Sequence, residues 1–235
     1  MRFDVLSIFP HALDGLLSVG VIGQARDAGT IEIHLHDLRD FSDDPHRTVD
    51  DRPYGGGAGM LLRVDPFVRG VEALRAQGAK GPAVLVSAQG RLFRQEDAAR
   101  WATAGGLILL CGRYEGVDER ILHFVDDEIS IGDFVIAGGE SAAAVLIEAT
   151  ARMTPGVVGK YESVATDSFY GEARLGAPQY TRPPVFRGHA VPEVLLSGDH
   201  AKIEEHRRRE AWKKTARNRP DLLGLYAKRE DESDG

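Results

Sequence analysis

GLILLCGRYEG, residues 106–116, decides how this chain folds. Leu107, Ile108, Leu109, Leu110 and Cys111 run without polar alternation, the pattern of a strand buried on both faces. The run then turns on Gly112 and Gly116. The same pattern appears on either side of it, in PAVLVSAQG (residues 82–90) and DEISIGDFVIAGGE (residues 127–140). The second of these reads as a strand closing on glycine, and the third as a strand region broken by Gly132 and ended by Gly138 and Gly139. Further out, RFDVLSIF (residues 2–9) reads as a buried strand stopped by Pro10. IEIHLHDL (residues 31–38) sets Ile31, Ile33 and Leu35 against Glu32, His34 and His36, a period of two.

Helical spacing fills the gaps, over residues 11–29, 64–78, 94–106 and 141–153, with Gly78 and Pro155 as stops. Strands thus alternate with helices through about residue 155. That order argues for an α/β domain with a mostly parallel sheet covered on both faces. Residues 39–60 are polar, long and without period, and a loop of that length in a compact domain is usually functional. It ends in DDRPYGGGAGM (residues 50–60), with four glycines in five positions. Beyond residue 155 the chain is rich in Gly, Pro, Ser and Thr, then helical and charged from about His200, with an acidic tail read as disordered.

The 235 residues suffice for a well-buried core. No run of about 18 apolar residues marks a membrane span. The N-terminus lacks a signal-peptide layout. A single cysteine, Cys111, forbids an intramolecular disulfide, and a cytoplasmic setting fits. Inside an apolar run it reads as a small core residue. A Walker loop is excluded because Met60, Leu61 and Leu62 follow Gly59 in place of Lys and Ser/Thr. A dinucleotide fingerprint is absent after the first strand. The eight histidines are scattered, so zinc spacing is lacking.

What remains is a set of glycine turns at the carboxyl ends of successive strands, where open α/β sheets bind ligands. An ordinary strand-to-helix turn is the plainer reading of any one of them. Three in succession, with Glu115, Asp133 and Glu140 attached, suit a pocket in which backbone groups read an adenine or a ribose.

The segments CGRYEGVDER, SIGDFVIAGGE, VDDRPYGGGAGM, ARMTPGVVG, TDSF and QYTRP, in this order and spacing, resemble the bacterial TrmD family of tRNA guanine-N1 methyltransferases, of the SPOUT superfamily. The likeness spans nearly the whole chain. It implies a SPOUT-type α/β fold, a mostly parallel sheet with a deep trefoil knot, plus a small, mainly helical C-terminal domain. The domains implied are a methyltransferase domain at 1–158, a flexible linker at 159–174 and a tRNA-binding helical domain at 175–235. The implied cofactor is S-adenosylmethionine, held in the knot by Leu85, Val86, Ser87, Ala88 and Gly90, by Gly112, Tyr114, Glu115 and Gly116, and by Ile131, Gly132, Asp133, Phe134, Val135, Ile136, Gly138 and Gly139. Magnesium dependence is implied too, without naming the residues that hold it. The implied partners are a second copy, in a homodimer with a shared active site, and tRNA whose guanine 3′ of the anticodon (guanine 37) is methylated. A related SPOUT enzyme with another RNA target, or a non-catalytic tRNA-binding dimer, are the alternatives. The chain departs from the pattern at Ala58 and Ala88, where many members have proline, at Thr166, where an acid is common, and at Phe134, often tyrosine.

The resemblance puts the catalytic aspartate at Asp167 and its helper arginine at Arg152. Guanine N1 is a poor nucleophile until it loses its proton, which a carboxylate within reach can accept. A guanidinium near O6 would stabilise the charge that builds there. Read from residues alone, Asp167 equally suits a helix cap and Arg152 an ion pair at a helix end. The loop Asp50, Arg52, Gly55, Gly56, Gly57, Ala58 and Gly59 is expected beside the target base, so that Gly59→Val weakens methylation more than cofactor binding.

Residues 202–219 carry eight Lys/Arg against three Glu in a chain of net charge −7. Arg207, Arg208, Lys213 and Lys214 of this stretch are candidates for phosphate contact, although a solvated helix face with internal ion pairs has the same composition. The two differ in salt dependence: phosphate contact predicts that tRNA affinity drops steeply between low and moderate ionic strength. A gel-shift titration that shows a flat response rules the contact out.

Overall fold

A computed structural model describes residues 1–159, 167–170 and 174–223. It divides into two units, Met1–Gly159 and Lys160–Gly235.

The first unit is built on five parallel strands: β1 (Arg2–Ser7), β2 (Glu32–Asp37), β5 (Ala83–Leu92), β6 (Gly106–Cys111) and β7 (Asp127–Ser130), in the order β2-β1-β6-β5-β7. The glycine-ended run is the middle strand, with all six residues of β6 buried. Its side chains divide by parity. Leu107, Leu109 and Cys111 join Val5, Val84 and Trp101 on one side of the sheet, under the helix α5 (Gly139–Ala151). Ile108 and Leu110 join Leu6, Leu85 and Phe67 on the other, under α3 (Val64–Ala76). That two-sided burial is why the run shows no alternation. Burial also pushes the Cys111 thiol well above its ordinary pKa, so it is a neutral core group. In an open parallel sheet of this kind ligands bind outside the carboxyl ends of the strands.

Four expectations are corrected. Residues 11–29 do not form one helix: a 3-10 turn (Pro10–Leu13) precedes α1 (Asp14–Leu17) and α2 (Gly20–Asp27), and the break falls where Gly20 takes φ +62°. The polar stretch is not structureless, because Leu38–Phe41 forms a 3-10 turn and β3 (Asp50–Asp51) pairs antiparallel with β4 (Leu61–Leu62). β5 does not close on Gly90. Val86 and Arg91 both pair with Ile129, so residues 87–90 bulge out and the strand resumes. β7 stops at Ser130, whose hydroxyl donates to the carbonyl of Gly132 and accepts from its amide, at 3.1 and 3.2 Å, and so turns the chain out of the sheet.

α4 (Gln95–Thr103) starts on a buried charge. Asp97, 5% exposed, accepts from Arg91 (2.8 and 3.0 Å), Arg100 (2.8 Å) and the Arg94 amide (3.0 Å).

In the second unit a two-stranded hairpin, β8 (Val185–Phe186) and β9 (His189–Ala190), precedes α6 (Glu193–Leu196) and α7 (His200–Asn218). Asp199 caps α7 by accepting from the Lys202 amide at 3.2 Å. The buried Thr215 hydroxyl donates to the Ala211 carbonyl (2.8 Å) and accepts from the Leu175 amide (3.0 Å), fastening the incoming chain to this helix. Thr166 and the acidic tail lie outside the described residues.

Asp97→Asn is expected to cost about 2 kcal/mol in urea unfolding at neutral pH, since several charge-assisted bonds are lost. Burial raises the Asp97 pKa, but hydrogen bonds from Arg91 and Arg94 outweigh it and leave it below the usual value. A carboxyl depressed on folding stabilises fully above its unfolded pKa, about 3.9, and loses that contribution as pH falls through the folded pKa. The gap between variant and wild type should therefore shrink in acid; a constant gap down to about pH 3 contradicts this account.

Candidate active site

At the carboxyl ends of β5, β6 and β7 the first unit opens into a cleft of about 490 Å³. Three sequence segments meet there. Leu85 and Val86 come from β5 itself, and Ser87 and Ala88 from its bulge. Gly112, Tyr114, Glu115 and Gly116 come from the turn after β6. Ile131, Gly132, Phe134, Val135, Ile136, Gly138 and Gly139 come from the segment between β7 and α5. Two expected members do not line the cleft. Asp133 is exposed outside it, and Gly90 serves the sheet: a Cβ there would lie 2.5 Å from the backbone of Glu128 and Ile129.

The walls are held by one carboxylate. Glu140, in the first turn of α5, is only 3% exposed. It accepts from the Ser7 hydroxyl at 2.6 Å and from Arg113 Nε at 3.0 Å. The helix N-terminus favours its negative charge. Glu140 therefore joins the end of β1, the turn after β6 and the start of α5. The Gly139 amide donates to the Gly112 carbonyl at 2.9 Å, and a Cβ on Gly139 would sit 2.9 Å from Cys111 Cα. Only glycine lets the two backbones meet this closely. Arg113 also lies over the Phe9 ring, 4.8 Å from its centroid, beside a second cleft lined by Ile8, Pro10 and Arg39.

The glycine loop joins the same site at its inner end. The Glu115 amide donates to the Met60 carbonyl (3.1 Å) and the Leu62 amide to the Gly116 carbonyl (3.0 Å), while Leu61 lines the cleft. Gly59 has φ +90°, and a Cβ on it would lie 2.4 Å from the Glu115 carboxylate. Gly55, Gly56, Gly57 and Ala58 are exposed, as is Arg52, and Asp50 pairs with Leu62 in the β3–β4 ladder. The loop thus cannot be divided cleanly from the turn after β6, and the expectation for Gly59→Val changes accordingly.

Arg152 caps the C-terminus of α5, half-buried, its amide donating to the Glu148 carbonyl at 3.2 Å. Asp167 belongs to the other unit. It is exposed in a turn where its carbonyl accepts from the Tyr170 amide (3.4 Å) and Ser168 Oγ accepts from the Gly176 amide (2.8 Å). No helix starts within residues 167–170. On α7, Arg207 and Arg208 are exposed, whereas Lys213 is drawn to Glu210 at 2.8 Å, an exposed pair worth little. Among the described residues no group of three His, Cys, Asp or Glu side chains could hold a metal ion, and no helix is long and apolar enough to cross a membrane.

Leu61, Glu119 and Glu128 of the cleft were not singled out in the sequence. Arg113 stood inside the quoted motif, but nothing linear links it to Ser7 and Glu140.

The family model described as tRNA (guanine-1)-methyltransferase TrmD matches residues 1–225. Proteins named tRNA (guanine-N(1)-)-methyltransferase are similar over most of the chain. That of Geobacter metallireducens is 50% identical over 224 residues, 95% of this chain and 91% of the relative. That of Citrifermentans bemidjiense is 48% identical over 95% of this chain and 90% of the relative. That of Chloroflexus aggregans is 49% identical over 97% and 89%.

A valine at residue 59 must adopt a left-handed backbone and push Glu115 aside. Gly59→Val is accordingly expected to weaken ligand binding in the cleft about tenfold, some 1.4 kcal/mol, read by titration with S-adenosylmethionine, the ligand that the resemblance implies. Unchanged affinity would separate the loop from the cleft after all.

Proposed function

The chain belongs to the tRNA (guanine-1)-methyltransferase family, TrmD, and from that membership we propose that it transfers a methyl group from S-adenosylmethionine to N1 of guanine 37, the base 3′ of the tRNA anticodon. The observation that carries the reading is the meeting of three strand-end segments in one cleft of about 490 Å³.

The donor set fits the cofactor. Backbone amides and carbonyls around Leu85–Ala88 and Gly112–Gly116 suit the edge of an adenine, the Glu115 carboxylate suits a hydroxyl or an ammonium, and Ile131, Ile136 and Val117 supply apolar walls. Once bound, S-adenosylmethionine supplies a methyl group already activated on a sulfonium. The chain's own tasks are then positioning and proton handling. Glu140 and Arg113 keep the two glycine turns apart at a fixed spacing, which is what an in-line approach needs. Asp167 accepts the N1 proton through a carboxylate oxygen as the base becomes nucleophilic. Arg152 donates to O6, where negative charge develops, and so favours the transition state over the ground state. The glycine loop, with Asp50 and Arg52, faces the flipped base, which must leave its stack to be reached. The described residues gather no set of ligands for magnesium, and no step of this reading passes through it.

A homodimer with a shared active site belongs to the same reading. Leu16, Val19 and Val145 are 60, 63 and 47% exposed, on α1, the α1–α2 junction and α5, and α1 packs against α5. Exposed large apolar side chains on two packed helices are what a second copy would cover. The trefoil knot is part of the proposal too; the close passage of Gly138 and Gly139 over Cys111 and Arg113 supports it. So is a cytoplasmic location.

Incubation with labelled S-adenosylmethionine and tRNA transcripts tests the reading. Label is expected on transcripts with guanine 37 and on none lacking it. Asp167→Asn is expected to lower methyl transfer at least a hundredfold, the usual contribution of general-base catalysis, with tRNA binding retained. Equal labelling of both transcripts points to another RNA target, and no labelling of either to a binding protein without catalysis.

A further inference from the structure

The β8–β9 hairpin of the second unit presents its side chains to solvent. Every residue from 179 to 190 is exposed, including Tyr180, Val185 and Phe186 at 50, 56 and 61%. A folded surface seldom leaves three large apolar side chains of one short segment in water without a partner. The charge is equally one-sided. Between Glu172 and Glu193 lie twenty residues with three arginines, one histidine and no carboxylate, in a chain of net charge −7.

The tip carries a conformational outlier. β8 and β9 are joined by the two-residue turn Arg187-Gly188, and both residues have positive φ, +49° and +84°. Such turns favour Asn-Gly or Gly-Gly, because a long side chain in the left-handed region is strained. Here that conformation carries an arginine, and it sets the guanidinium over the Phe186 ring, 5.3 Å from the centroid. An aromatic face and a cation are thus presented together at an exposed tip.

We propose that the Phe186–Arg187 tip is a stacking site for an unpaired RNA base, with Arg187 on the adjoining phosphate. This inference rests on the reading of the chain as a tRNA enzyme. An aromatic ring beside a guanidinium is what single-stranded nucleotides are stacked and neutralised by. The lack of carboxylates over twenty residues fits a polyanion. A contact with another protein surface is the competing occupant, and it has a different signature.

The test uses the full chain, a tRNA transcript carrying 2-aminopurine in the anticodon loop, and the variants Phe186→Ala, Phe186→Trp and Arg187→Ala. Phe186→Ala is expected to weaken tRNA binding about tenfold and to remove the fluorescence quenching that stacking causes, with Phe186→Trp retaining both. Arg187→Ala is expected to lower the slope of log affinity against log salt by about one. Affinity for S-adenosylmethionine should not move. An unchanged tRNA affinity for Phe186→Ala, while the wild-type protein methylates tRNA, overturns the proposal. So does a loss of affinity that sedimentation traces to dissociation of a dimer. If the wild-type protein methylates no tRNA, the functional reading fails instead, and the hairpin is judged by the same variants on a short unpaired oligonucleotide: a tenfold loss upholds it and none refutes it.

Discussion

A buried carboxylate is costly unless its charge is answered on every side. Glu140 is such a group, and the geometry of the first unit depends on how it is answered. The Ser7 hydroxyl comes from the end of β1, Arg113 from the turn after β6, and the helix N-terminus is Glu140's own. These three elements cannot move independently without leaving a charge unpaired in a dry site. The glycines on either side, Gly112 and Gly139, bring the backbones close enough for this to work. A cleft whose walls are largely turns needs a brace to fix its width. The ion pair supplies that rigidity.

The proposed function divides its tasks between the two units. The first unit holds the cleft, Arg152 and the glycine loop, while the second holds Asp167, the basic helix and the exposed hairpin. A methyl donor can be bound and positioned by rigid backbone, which suits a parallel sheet packed on both sides. A polynucleotide needs reach and charge more than rigidity. On the proposed reading, exposed arginines, an exposed aromatic tip and a turn holding the candidate base would provide for that in a chain that is acidic as a whole. Local charge and exposure, more than net charge, decide what such a surface can meet.

Much of the fold was legible because apolar periodicity is a local signal. The unbroken run from Leu107 to Cys111 could only be a strand covered on both faces, and the glycine turns after it marked the cleft. The errors have physical causes. Gly90 was read as a pocket residue, yet its missing Cβ admits the neighbouring strand, a contact about forty positions away along the chain. The segment after Ser130 was read as strand, but the Ser130 hydroxyl captures the backbone of Gly132 and ends the ladder. Gly59 was placed by its local composition alone, and its closeness to Glu115, more than fifty positions along the chain, could not be read from that.

By itself, then, the sequence determined the alternation of the five sheet strands with helices in the first unit, the burial of the sheet, the neutral role of Cys111 and the motifs that identify the family. These depend on periodicity and on residue identity at fixed spacing. Tertiary structure alone decided that Arg113 and Glu140 form the brace of the cleft, that the glycine loop leans on that cleft, and that the hairpin is left uncovered. Each of these joins residues far apart in the chain, or records a contact that never forms. Such facts arise when the sheet assembles and its helices dock, because only then do desolvated charges and unpartnered faces exist.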